Sequence, residues 1–291
     1  MLIPKVEFLD DIQATDGYQK QLKALYLTVS DNQYQTLTVL IDLNIYGTAV
    51  FDLLDCGIDL PFERIKRIHH SFSDDLALIK MSLDSSTGQR LLEQLLALAL
   101  YENTHDISGY PHSRSVCLWL FDQPITETLT HSIYLIGQAY GIGTNKRRYL
   151  RYWDPRVLAL LTYIWTAPQK LQIYQLGLSH IYYVDWNNEM TVLTLPTPNE
   201  VYPAANIQKT LGQLQPLPFR FSQQQWQVLI QTEWINMILR QLKGQVVITH
   251  RVYEIIISQA LLMAQRQVTQ QQAVNNIVKS LERIKDKGVQ A

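Results

Sequence analysis

The chain has 291 residues, 47% hydrophobic and 18% charged, a composition that can bury a sizeable core and that excludes disorder and collagen-like repeats. A formal charge of −1 and a pI near 6.7 leave no global field to draw nucleic acid or an anionic membrane. Two cysteines, Cys56 and Cys117, cannot form a disulfide framework, and their scarcity suits a reducing cytoplasm.

The N-terminal MLIPKVEFLDD has no basic segment and meets acids at Glu7, Asp10 and Asp11, which argues against a secretory signal. Short β-branched and apolar runs predict strands at Lys23–Val29, Thr38–Leu43, Leu76–Leu83, Val116–Phe121 and Tyr149–Trp153. Helical patterns fall between them at Phe62–His69, Thr87–Tyr101, Thr126–Tyr140 and Pro155–Leu176. The apolar stretch from Leu91 to Tyr101 is broken by Glu93 and Gln94 and is too short to span a bilayer, so no membrane insertion is expected. Two further strands, His180–Trp186 and Met190–Leu195, flank Asn187-Asn188-Glu189, a hairpin turn by composition. Strand and helix alternation of this kind predicts a layered α/β lobe over residues 1–195 with a largely parallel or mixed sheet.

Five of the eleven prolines fall between Pro196 and Pro218, so residues 196–219 are expected to form an irregular linker. From 220 to 291 only helices are expected. Ser222 caps a helix running to Lys243, Thr249 the next, and Thr269 the last. This all-helical lobe carries nine Lys/Arg against four Asp/Glu, a net of +5, leaving −6 for the rest of the chain. Glutamine runs at 223–225 and 270–272 are expected to be solvated helix faces.

The chemistry-bearing signals are few. There is no G-x-S-x-G elbow, and Gly177-Leu178-Ser179-His180 lacks the closing glycine. Cys117 sits inside the apolar run VCLWLF, which suits a buried, inert thiol. His69 and His70 are adjacent, and His105 and His112 lie in a turn-rich segment, so none has metal-ligand spacing. Gly141-Ile142-Gly143-Thr144-Asn145-Lys146 meets neither the Walker nor the Rossmann pattern. The sharpest local feature is KRRYLRYWDPRVLALL, from Lys146 to Leu161. Its alternating basic and aromatic residues have the chemistry to stack on bases, although no wider basic field supports them. Architecturally, Asp154 caps a helix whose first turn holds Pro155. Arg156 then stands at the positive end of the helix dipole and calls for a carboxylate partner, in the fold or on another protein.

Arg151-Tyr152-Trp153-Asp154-Pro155-Arg156-Val157-Leu158 resembles the R-[FY]-[YW]-D-P-R-V-L signature of the type VI secretion effector adaptors, the Tap/TEC kind of chaperone. Val39-Leu40-Ile41-Asp42 is similar to an early strand of that family, and Cys117–Phe121 to the strand preceding its signature. The resemblance spans roughly residues 36–190; the segment from Pro61 to Ser82 departs from the family's wording.

It implies a non-enzymatic cytoplasmic adaptor without cofactor or metal. Such a protein binds the N-terminal segment of a cognate toxic effector and helps load it onto the VgrG spike. The signature residues Arg151, Trp153, Asp154, Pro155 and Arg156 then shape a partner surface. Trp226 and Trp234, eight apart on one predicted helix face, are candidate anchors in a cleft between the lobes. The alternative is an α/β nucleotide-binding protein or enzyme with its site at the carboxyl ends of the strands.

Overall fold

The computed structural model describes residues 6–44, 50, 62–65, 76–104, 114–140, 147–201, 219–243 and 245–286. Its strands, in chain order, are β1 (Thr36–Asp42), β2 (Phe62–Ile65), β3 (Leu76–Ser82), β4 (Val116–Phe121), β5 (Gln138–Tyr140), β6 (Arg147–Tyr149), β7 (His180–Val184), β8 (Met190–Thr194) and β9 (Phe219–Arg220). The N-terminal half carries helices α1 (Val6–Gln13), α2 (Asp16–Asn32) and α3 (Ser86–Thr104). Then come α4 (Glu127–Ile136), α5 (Pro155–Ile164), α6 (Ala167–Tyr174) and the one-turn α7 (Pro198–Val201). The C-terminal helices are α8 (Gln223–Leu229), α9 (Thr232–Leu242), α10 (His250–Ala264) and α11 (Gln270–Asp286).

The fold is mixed α/β with helices at the C-terminal end, but the expected largely parallel or mixed main sheet is corrected. Six strands run in the order β2-β3-β1-β4-β7-β8, and every neighbouring pair is antiparallel. The strand–helix–strand pattern β3–α3–β4 does return the chain in the same direction. However, β1 lies between those two strands and opposes both, so no parallel ladder forms there. A small second sheet, β6-β5-β9, holds one antiparallel and one parallel pair.

Alternation along the strands sends side chains to two faces. On β1, Leu37, Val39 and Ile41 meet α1, α2 and α3, while Leu40 joins the opposite cluster formed with the later helices. The alternation slips on β4, where Cys117 and Leu118 both face the later helices. The cause is a bulge, since Leu40 pairs with Leu118 but Ile41 with Val116, leaving Cys117 as the extra residue. With helices on both faces, VCLWLF is buried throughout, which explains its unbroken apolar run.

Several local expectations are revised. Lys23–Val29 lies inside α2, because Thr15 accepts from the Tyr18 amide as a cap and Tyr18, Gln21 and Leu25 form its buried stripe. Phe62–Ile65 is a strand, and the rest of that expected helix lies outside the described residues. The helix expected over Thr126–Tyr140 stops at Ile136 and gives way to β5. The strand expected over Tyr149–Trp153 stops at Tyr149, where β6 ends. Pro155–Leu176 breaks into α5 and α6 at Trp165-Thr166, where Thr166 and Gln169 form a capping box around Pro168. The helix expected from Ser222 to Lys243 breaks after Leu229. The caps at Ser222 and Thr249 form as expected, and Thr269 exchanges hydrogen bonds with Gln272.

Most of the proline-rich stretch lies outside the described residues. On its two sides, residues from Leu40 to Leu195 and from Phe219 to Leu281 contribute to one buried apolar cluster. Among the described residues no helix is long and apolar enough to cross a membrane.

Candidate functional site

Antiparallel pairing puts the end of β1, the start of β4 and the end of β7 at the same end of the sheet, and several buried polar residues gather there. Asp42 is the last residue of β1 and its side chain is fully buried. Its amide donates to the Ser115 carbonyl at 2.8 Å, just before the bulge on β4. One carboxylate oxygen accepts from Arg151 Nη2 at 2.6 Å and from the Trp153 indole Nε1 at 3.3 Å. The other accepts from the Asn44 amide and its Nδ2. Trp153 is itself buried, edge-on to Tyr152 and Tyr149. Gly137 lies so close that a Cβ there would stand 3.0 Å from the Trp153 ring.

The next three signature residues form the junction into α5. Asp154 caps the helix by accepting from the Arg156 amide at 3.0 Å, and Pro155 occupies the first turn. The same carboxylate receives Arg156 Nε at 2.9 Å and Nη2 at 2.5 Å, with both side chains buried. The partner that Arg156 needs is therefore its own cap residue. Burial alone would raise the Asp154 pKa, but Arg156 beside it holds the carboxyl below its ordinary value.

Around this core stand residues that carried no signal of their own in the sequence. Glu102, in the last turn of α3, accepts from the Ser115 and Val116 amides and from the Ser115 hydroxyl. Asn103 accepts from Arg114 Nη2 at 3.0 Å and donates to the Asp185 carbonyl and to Asn188 Oδ1 in the β7–β8 turn. Lys243, at the end of α9, reaches the same turn. Burial and the nearby Arg156 push Arg114 down to about 10. Burial raises Glu102 to about 7 against the opposing pull of its Ser115 hydrogen bond and Arg114.

That last shift has a sign. The unfolded chain releases the Glu102 proton near its ordinary 4.5, whereas the folded chain keeps it to about 7. Between those values the folded state binds the extra proton, so the contribution to stability falls as pH rises, by about 3 kcal/mol across the window. Asp154 works oppositely: its contribution is present above its unfolded pKa and is lost as pH falls through the depressed folded value. Urea midpoints are expected to be higher at pH 5 than at pH 8, and Glu102→Gln is expected to flatten that slope. Equal midpoints for the unaltered chain would refute the assignment.

The structure brings Arg151, Trp153, Asp154, Pro155 and Arg156 together with Asp42. It does not bring Trp226 and Trp234 to them as open anchors. Trp234 is 8% exposed in the core, and Trp226 donates from Nε1 to the Tyr140 carbonyl and packs edge-on against Phe221. Gln225 closes the Ser222 capping box and also donates to the Ile164 carbonyl and Gln169 Oε1, so this glutamine knits α8 to α5 and α6. Cys117 is buried, with its thiol aimed at the Arg114 and Ser115 carbonyls, and burial pushes its pKa well up. Cys56, His69, His70, His105, His112 and the segment 141–146 lie outside the described residues. No group of three or more potential metal ligands occurs among the described residues. In comparisons with known proteins, no family model, no curated protein and no solved structure matches the chain.

Proposed function

We propose that the chain is a non-enzymatic cytoplasmic adaptor that binds a cognate toxic effector and helps load it onto the VgrG spike of a type VI secretion system. The observation that carries this reading joins two segments 109 residues apart in the chain. Both segments bear the resemblance: Arg151 and Trp153 of RYWDPRVL converge on Asp42, which ends VLID. The signature then acts as an internal brace that fixes a partner surface around the partly exposed Arg151 side chain. The alternative, a nucleotide-binding protein or enzyme with its site at the carboxyl ends of the strands, draws on folds built from parallel strands, and the antiparallel pairing of the described main-sheet strands lends it less support.

Deleting the gene in its own host is expected to abolish secretion of a single toxin while the other secreted components continue. The tagged full chain is expected to recover that toxin and VgrG from lysate. Unchanged secretion of every toxin in the deletion strain would overturn the reading.

A further inference from the structure

The β7–β8 turn and the segment joining α9 to α10 border an open cleft of about 450 Å³. Trp186, Asn188, Glu189, Lys243, Val246 and Val247 are among its lining residues. Lys243 Nζ donates to the Asn103 carbonyl at 2.6 Å and to Asn188 Oδ1 at 2.9 Å, both neutral acceptors. Among the described residues no carboxylate lies within ion-pair distance of it. Glu189, the carboxylate among the lining residues, pairs with Lys20 at 3.0 Å. Asp185 directs its oxygens to the Asn187 and Glu189 amides and the Thr191 hydroxyl.

The surroundings deepen the imbalance. Burial pushes Lys243 down to about 8, and Arg114 and Arg240 push the same way, with only Asp185 opposing. The carbonyl end of α9 offsets part of the charge. Even so, a half-buried cation that touches only neutral oxygens is an incomplete pairing, because charges withdrawn from water are normally matched by an opposite charge. The third ammonium proton is unused by these two acceptors, and the missing counterion has room in the cleft.

We propose that this cleft binds a carboxylate carried by a peptide, with Lys243 as counterion and Val246 and Val247 as the wall for an adjacent apolar side chain. The site is open, so the carboxylate can belong to a longer chain. Asn188 Oδ1 is taken by Asn103 and Lys243 and Gln245 Nε2 by the Gln241 carbonyl, which leaves Asn188 Nδ2 as a donor and Gln245 Oε1 as an acceptor for a peptide main chain. Val247, 63% exposed at the surface, gives an apolar contact at the mouth. The carboxylate can be a chain terminus or an aspartate side chain, which share this chemistry.

Calorimetric titration of the full chain with three synthetic peptides tests the proposal: acetyl-alanyl-leucyl-valine with a free terminus, its amide, and amidated acetyl-alanyl-aspartyl-valine. At least one acid-bearing peptide is expected to bind ten-fold or more tightly than the neutral amide, and the tighter of the two identifies the source of the carboxylate. Lys243→Met is expected to weaken that binding at least ten-fold. Because Lys243 also ties α9 to the sheet edge, Val247→Glu is the second variant. It places like charge at an exposed position and is expected to weaken binding similarly with an unchanged thermal midpoint. Equal binding of the amide, no acid peptide bound at millimolar concentration, or full binding by both variants would overturn the site. The titration uses synthetic ligands, so its failure leaves the secretion experiment untouched, and the reverse holds.

Discussion

Asp42→Ala is expected to destabilise the fold by about 3–5 kcal/mol, the range for removing one partner of a buried ion pair. The carboxylate is fully buried, and its loss strands the Trp153 indole N–H and the Asn44 amide as well as Arg151. Arg151 is 38% exposed, so water recovers some of its solvation and places the effect toward the lower end of the range. Asp42→Asn keeps an acceptor for one donor and should cost less. The check is urea unfolding with a linear extrapolation. A change under 1 kcal/mol for the alanine variant would mean that the bridge between VLID and RYWDPRVL carries no structural weight.

Asp154→Ala is expected to cost about as much, 3–5 kcal/mol, by a different route. Arg156 has a side chain 4% exposed and would keep its charge with no counterion, while α5 would lose its cap. The informative comparison is the double variant Asp154→Ala, Arg156→Met. Replacing both members of a buried pair by apolar groups is often close to neutral. Most of the loss should therefore return, leaving roughly the 1 kcal/mol of the missing cap. A double variant no more stable than the single one would show that the pair is not the source of the effect.

What the sequence made legible was local. Ser222, Thr249 and Asp154 announce their helices because a capping side chain and the amide it accepts from lie within three residues. VCLWLF announces a strand covered on both faces. Lys23–Val29 misleads because one position of the buried stripe of α2 is Gln21, which reads as surface, and Thr28-Val29 imitate a strand. The main sheet misleads because strand–helix–strand alternation is the same whether or not a third strand slips between the two.

At the candidate site, RYWDPRVL was visible as a contiguous word and Asp42 as the end of another. The contacts that join Glu102 to Ser115, Asn103 to Asn188, and Lys243 to Asn103 and Asn188 were not. Lys243 and the Asn103 carbonyl are 140 residues apart, and no periodicity or spacing rule relates residues at such separation. The two tryptophans were legible as large apolar residues on helices, but the break after Leu229 removes the shared helix face on which their pairing rested.

The single cluster shared by early and late segments has a consequence for biosynthesis. Leu40, Leu118 and Trp153 pack in the same cluster as Phe219, Trp234 and Leu281, so the later-helix face of the sheet lacks part of its cover until the last helices leave the ribosome. Roughly 60 residues separate Phe219 from Leu281, and at about 5–20 residues per second that is about 3–12 s of translation with apolar surface open to solvent and to holdase chaperones. A nascent chain stalled just after β8 should therefore be bound by such chaperones and digested readily by protease, whereas the released full chain should be neither.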